Sequence, residues 1–202
     1  MEKDYLKDIS EIRNMMERSS KFFSISGWSG VLAGLYSIIG AWLIYTYYQF
    51  NPSQVQGLHP DSMWNMDILY IAIGVLVLAM FTALVLSLKK AHKQGQSIWN
   101  GTSKRMLRQM LVPLVAGGCF ALLSLHYQLF GLMAPITLIF YGIALVNASL
   151  FTYPAIRFLG YVQIILGLVA TWQIQLGILC WVIGFGLFHI IIGIYLQLRQ
   201  KA

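Results

Sequence analysis

The segment GFGLFHIIIGIYLQLR, residues 184–199, sets one imidazole, His189, inside a run that otherwise reads as an oil-soluble helix. An imidazole in hydrocarbon must find hydrogen-bond partners or cost several kcal/mol, and an ionisable residue inside a membrane is by default a candidate functional group. Three more polar side chains fall near it in depth: Gln163, Asn147 and Arg157. Counted along helices of about 1.5 Å per residue, His189 lies about 18 Å from the outer end of its span and Gln163 about 9 Å from the inner end of its own. One reading joins His189, Gln163, Asn147 and Arg157 in a small ligand-binding pocket, or proton relay, open to the cytoplasmic half. The other is a single His189–Gln163 hydrogen bond that registers two helices, worth about 0.6 kcal/mol. A third use of His189, as the base of a membrane enzyme, lacks companions, since no Ser-His-Asp set, HExxH or glycine-rich phosphate loop occurs. Asp, Glu and Lys are absent from the span interiors, which argues against an ion-coupled pump. An uncoupled transporter or channel remains, its path continuing outward past Gln128, Gln173 and Gln175.

The elements that hold these residues follow from composition. The chain has 202 residues, of which 58% are hydrophobic and 10% charged, with a mean hydropathy of +0.68. Soluble domains carry roughly a quarter charged residues, so this is an integral membrane protein. About 20 apolar residues cross a bilayer core, and six stretches reach or approach that length: 25–48, 66–88, 107–126, 130–150, 156–173 and 177–197. The expected fold is all-α, a polytopic six-transmembrane-helix bundle occupying residues 25–202, behind a cytoplasmic amphipathic helix at residues 1–24. The first span follows a charged segment and is too long for a signal-peptide h-region, so it is expected to stay as an anchor.

All fourteen Lys and Arg fall on one side of the six-span model. Positive-inside bias then places both termini in the cytoplasm and lets the basic residues meet anionic lipid headgroups, with no need of nucleic acid. Trp42, Tyr45, Trp64, Tyr127 and Trp172 mark the outer interface, and Trp28, Trp99 and Tyr195 the inner one. In residues 2–23, Ile9, Ile12 and Met16 lie on one narrow helical stripe, while Lys7–Glu11 and Arg13–Glu17 pair at i,i+4. That stripe lies on the inner leaflet, packs on the protein's own cytoplasmic face, or docks on a cytoplasmic partner or a second copy.

Glycine spacing predicts close helix contacts. Gly160-x-x-Gln163-x-x-x-Gly167 and Gly186-x-x-His189-x-x-x-Gly193 share one pattern, and Gly27, Gly30 and Gly34 repeat its outer positions. Small residues at this spacing let helices approach in lipid; the alternative use of such a groove is a substrate path. The two-residue IQ break makes spans five and six an antiparallel hairpin. Cys119 and Cys180 have no CxxC context and read as packing residues, and no cofactor is expected. His59, Asp61, Asp67 and His126 are a weak candidate set for an outer divalent cation, without signature spacing.

MERSSKFFSISGWSG (residues 16–30), APITLIFYGIAL and the closing GFGLFHI run resemble a family of uncharacterised six-span bacterial inner-membrane proteins. The resemblance implies a bacterial cytoplasmic membrane and genomic association with small winged-helix regulators, and it brings no activity. Arg18, Ser19, Ser20, Ser26, Gly27 and His189 carry the pattern, which points to the cytoplasmic mouth of spans one and six. The resulting expectation is a non-catalytic sensor or interaction module.

Overall fold

The structure, a computed structural model, describes residues 26–47, 66–93, 95 and 99–199. Among these there is no strand. The helices are α1 (Gly27–Tyr47), α2 (Met66–Lys93), α3 (Gly101–His126), α4 (Met133–Ala148), α5 (Pro154–Trp172), α6 (Gly177–Trp181) and α7 (His189–Arg199). Helices α6 and α7 are joined by a π-helical segment, Val182–Phe188, so that the sixth crossing, Ile174–Arg199, is one rod with a wide turn in its middle. Six helical stretches are long and apolar enough to cross a membrane, and the fold is an all-α bundle. The amphipathic stripe of Ile9, Ile12 and Met16 lies outside the described residues.

Local chemistry sets the helix ends, in places away from where hydropathy puts them. Helix α3 begins at Gly101 rather than 107, because Asn100 and Ser103 form a reciprocal cap: the Ser103 N–H donates to Asn100 Oδ1 at 2.8 Å and the Asn100 N–H to Ser103 Oγ at 3.0 Å. Helix α2 runs on past residue 88 to Lys93, since lysines are good helix formers whose stems lie along apolar surface while their heads reach water. Helix α5 opens with Pro154 in its first turn, where the missing N–H has no partner to lose.

Helix α2 packs on α1, α1 on the sixth crossing, and the sixth crossing on α4 and α5, with α3 against α4. No residue in the apolar window of α2 is fully buried: one face rests on α1 and much of the rest is exposed. Two apolar clusters fill the bundle. Leu145, Tyr153, Ile156, Leu159, Ile192 and Leu196 occupy the end where the basic residues gather, and Leu138, Ala170 and Cys180 the other. Tyr141, Gln163 and His189 lie along the helices between them.

Without a hydrophobic drive between helices in lipid, close packing must hold this arrangement. Gly27, Gly30 and Gly34 of α1 lie on the sixth crossing: a Cβ on Gly30 would stand 3.2 Å from Gly193 Cα and from the His189 carbonyl oxygen, and one on Gly34 would meet Gly186 O at 2.6 Å. Gly160 and Gly167 of α5 face α4 instead. A Cβ on Gly160 would meet Gly142 O at 2.8 Å, and one on Gly142 would meet Gly160 O at 2.7 Å. The two matched glycine patterns therefore do not pack on each other; each meets a different neighbour.

Candidate functional site

His189 is buried at the first residue of α7, directly after the π segment. Its ring Nδ1 lies 2.9 Å from the carbonyl oxygen of Gly184, five residues earlier. The main-chain N–H of His189 is directed at Gly186 O, and the imidazole adds a side-chain donor to Gly184 O beside the i→i+5 pattern of the π segment. A carbonyl oxygen only accepts, so Nδ1 carries the proton, and in the neutral ring Nε2 is the bare acceptor. The Tyr141 hydroxyl of α4 stands 3.0 Å from Nε2 and donates to it. Both nitrogens are thus satisfied by protein groups, one on its own crossing and one across the bundle.

Aromatic rings fix the imidazole plane. Phe185 stacks on it with centroids 5.7 Å apart and planes 18° from parallel, and Tyr141 with 5.6 Å and 26°. Phe185 lies 5.0 Å from both Tyr141 and Trp181, which extends the stack toward α6. Offset contacts of this kind are worth about 0.5–1.5 kcal/mol each beyond area burial.

The other three polar residues go elsewhere. Asn147 Nδ2 donates to the main-chain carbonyl of Gln109 in α3, at 3.2 Å. Four residues after Gln109 stands Pro113, whose ring nitrogen has no hydrogen to give that carbonyl. Asn147 therefore caps a gap that a proline opens in a neighbouring helix. Arg157 Nε donates to Ser149 Oγ at 3.1 Å, and that hydroxyl donates to the Val146 carbonyl at 2.6 Å, closing the last turn of α4. His189 makes no hydrogen bond to Gln163. Gln163 is completely buried, and neither Oε1 nor Nε2 has a partner. Its amide rests against Gly184, where an added Cβ would meet Oε1 at 2.5 Å and Cδ at 3.2 Å. The structure thus brings Gln163 and His189 to one glycine, Gly184, and directs Asn147 and Arg157 to α3 and to the end of α4.

Tyr141, Gly184 and Gln109 are the partners that sequence reading missed. Signals for the last two existed: the Gly-Phe-Gly run just before His189, and the proline four residues after Gln109. Among the described residues no three His, Cys, Asp or Glu gather as metal ligands. His126 is stacked edge-on against Tyr127, while His59, Asp61 and the side chain of Asp67 lie outside the described residues. Cys119 is exposed and Cys180 buried, and both are free. No protein-family model, curated protein or solved structure matches this chain.

Proposed function

We propose that this is a multi-pass protein of a bacterial cytoplasmic membrane that acts without catalysis, as a sensor or interaction module, with the broken sixth crossing as its responsive part. The observation that carries this reading is the seven-residue π segment held by the His189 side chain. Wide turns of this kind are rare in helices and concentrate at functional positions. Here the turn lies between α1, which touches it through Gly34, and the Tyr141 face of α4. A change in it moves two neighbours. His189 has no ring nitrogen left to act as a base, and its fixed position suits a latch better than a proton carrier.

Basic residues at one end, including Lys89, Lys93, Arg105, Arg108 and Arg199, fit a cytoplasmic face on anionic lipid. The stripe of Ile9, Ile12 and Met16 is the proposed contact for a cytoplasmic partner or a second copy.

Native mass spectrometry of the detergent-purified protein, wild type beside His189→Ala, tests the reading. A second copy or retained molecule in the wild type, lost in the variant, is the expected result. Bare, monomeric ions from both would overturn it.

A further inference from the structure

Every Asp and Glu of the chain lies at or before Asp67, so the Lys and Arg from Lys89 onward have no acidic residue in their own part of the sequence. Two of these cations are held in defined places at one turn. Between α4 and α5, Ser149–Phe151 forms a short 3-10 turn that packs on α3, and Tyr153 follows as the N-cap of α5. Lys90 of α2 carries its Nζ over the Tyr153 ring, 6.0 Å from the centroid, in a cation–π position. Arg157, four residues after Tyr153 and so its neighbour on the helix surface, is exposed and anchored by Nε on Ser149 Oγ at 3.1 Å. Its terminal nitrogens make no bond among the described residues.

This is a costly place for a cation. The first turn of a helix holds the positive end of its dipole, and that of α5 contains no acidic residue and no side-chain cap. A phosphate group would answer both the helix end and the guanidinium, whose planar fork matches its oxygens, with the Lys90 ammonium beside them. The surroundings make that phosphate a lipid's. Helix α2 packs on α1 and α3 on α4, but α2 and α3 do not pack on each other, and the α4–α5 turn reaches both at the basic end. From that end the two helices expose apolar stripes, Phe81, Leu84 and Leu88 on α2 and Leu107, Leu111 and Leu114 on α3. A free anion would have no use for them. We propose that Lys90 and Arg157 bind the phosphate of one anionic phospholipid at the α4–α5 turn, its acyl chains lying along α2 and α3.

The proposal rests on the cytoplasmic placement of the basic end and makes a separate demand. Native mass spectra are taken of the full chain released from nanodiscs of phosphatidylcholine and phosphatidylglycerol in equal parts. The wild type retains one phosphatidylglycerol. A basic residue near an anionic surface contributes about fivefold to binding, so Lys90→Gln with Arg157→Gln should retain about 25-fold less. Lys104→Gln with Arg105→Gln removes the same charge at the start of α3 and should keep the lipid. Ser149→Ala, which keeps every charge, tests the anchor should the first pair unfold the chain: retention falls severalfold. Equal losses in the two double variants, or equal retention of both lipids by the wild type, overturn the site. Displacement of the lipid by millimolar inorganic phosphate assigns the site to a free anion and overturns it as a lipid site. His189→Ala keeps the phospholipid, so the species tested above for that variant is scored separately. Labelling of His92→Cys with a membrane-impermeant maleimide on intact cells reads the placement: a reactive thiol there overturns the cytoplasmic reading, whereas a protected thiol with no lipid preference overturns the site alone.

Discussion

The Tyr141 hydroxyl and His189 Nε2 meet at 3.0 Å across the packed faces of the fourth and sixth crossings. Because the other ring nitrogen is committed to Gly184 O at 2.9 Å, this hydrogen bond ties α4 to the main chain of the π segment through one imidazole. Removing either partner leaves a polar atom stranded in hydrocarbon. Asn147 and His189 share one theme: each donates to a main-chain carbonyl where a helix departs from regular α geometry.

Tyr141→Phe tests the cross-bundle link. It keeps the ring stack and removes the donor, so stability should fall by about 1 kcal/mol, between the roughly 0.6 kcal/mol average for membrane hydrogen bonds and the cost of a stranded acceptor. In a His189→Phe background the same change should cost almost nothing. Equal costs in both backgrounds, measured by reversible unfolding in mixed micelles, would show that the two groups are not coupled.

The proline gap gives a second coupling. Asn147→Leu should destabilise by about 1 kcal/mol in the native sequence, where Gln109 O would lose its donor. With Pro113→Ala the carbonyl regains a main-chain N–H, and Asn147→Leu should become close to neutral. A cost that persists in the Pro113→Ala chain would assign Asn147 some other partner.

Glycines divide into tight and open positions. A Cβ on Gly34 would meet Gly186 O and Ile190 Cγ1, each at 2.6 Å, whereas one on Gly74 or Gly118 would meet nothing within 4 Å. Gly34→Ala should therefore lower the melting temperature by several degrees, while Gly74→Ala and Gly118→Ala should leave it unchanged or raise it slightly. Equal effects at all three would contradict the α1 contact.

Much of the architecture was legible because membrane thickness imposes a length on apolar runs, and six such runs are present. The glycine faces were legible for a similar reason: Gly27, Gly30 and Gly34 fall on one stripe of an α-helix. Their partners were not, since spacing along one helix names no neighbour and the choice depends on crossing geometry. At the site, the need of His189 and Asn147 for partners followed from burial alone. The identity of those partners did not. Asn147 answers a carbonyl freed by Pro113 on another helix, and His189 reaches the Gly184 carbonyl within a wide turn that hydropathy cannot register, since a π segment and an α segment are equally apolar. The end of α3 was missed for the opposite reason: polar Asn100 and Ser103 cap a helix that starts in water, outside the apolar run.

The most direct test of the latch is the ring-nitrogen spectrum of His189 in the full chain, labelled with nitrogen-15 histidine in lipid nanodiscs. Subtracting the spectrum of His189→Phe isolates its signals from those of the other three of the four histidines. The latch predicts a protonated Nδ1 and a bare Nε2, with the Nε2 resonance moving in Tyr141→Phe while Nδ1 stays protonated. The opposite tautomer, or an Nε2 resonance indifferent to the loss of the Tyr141 hydroxyl, would contradict it.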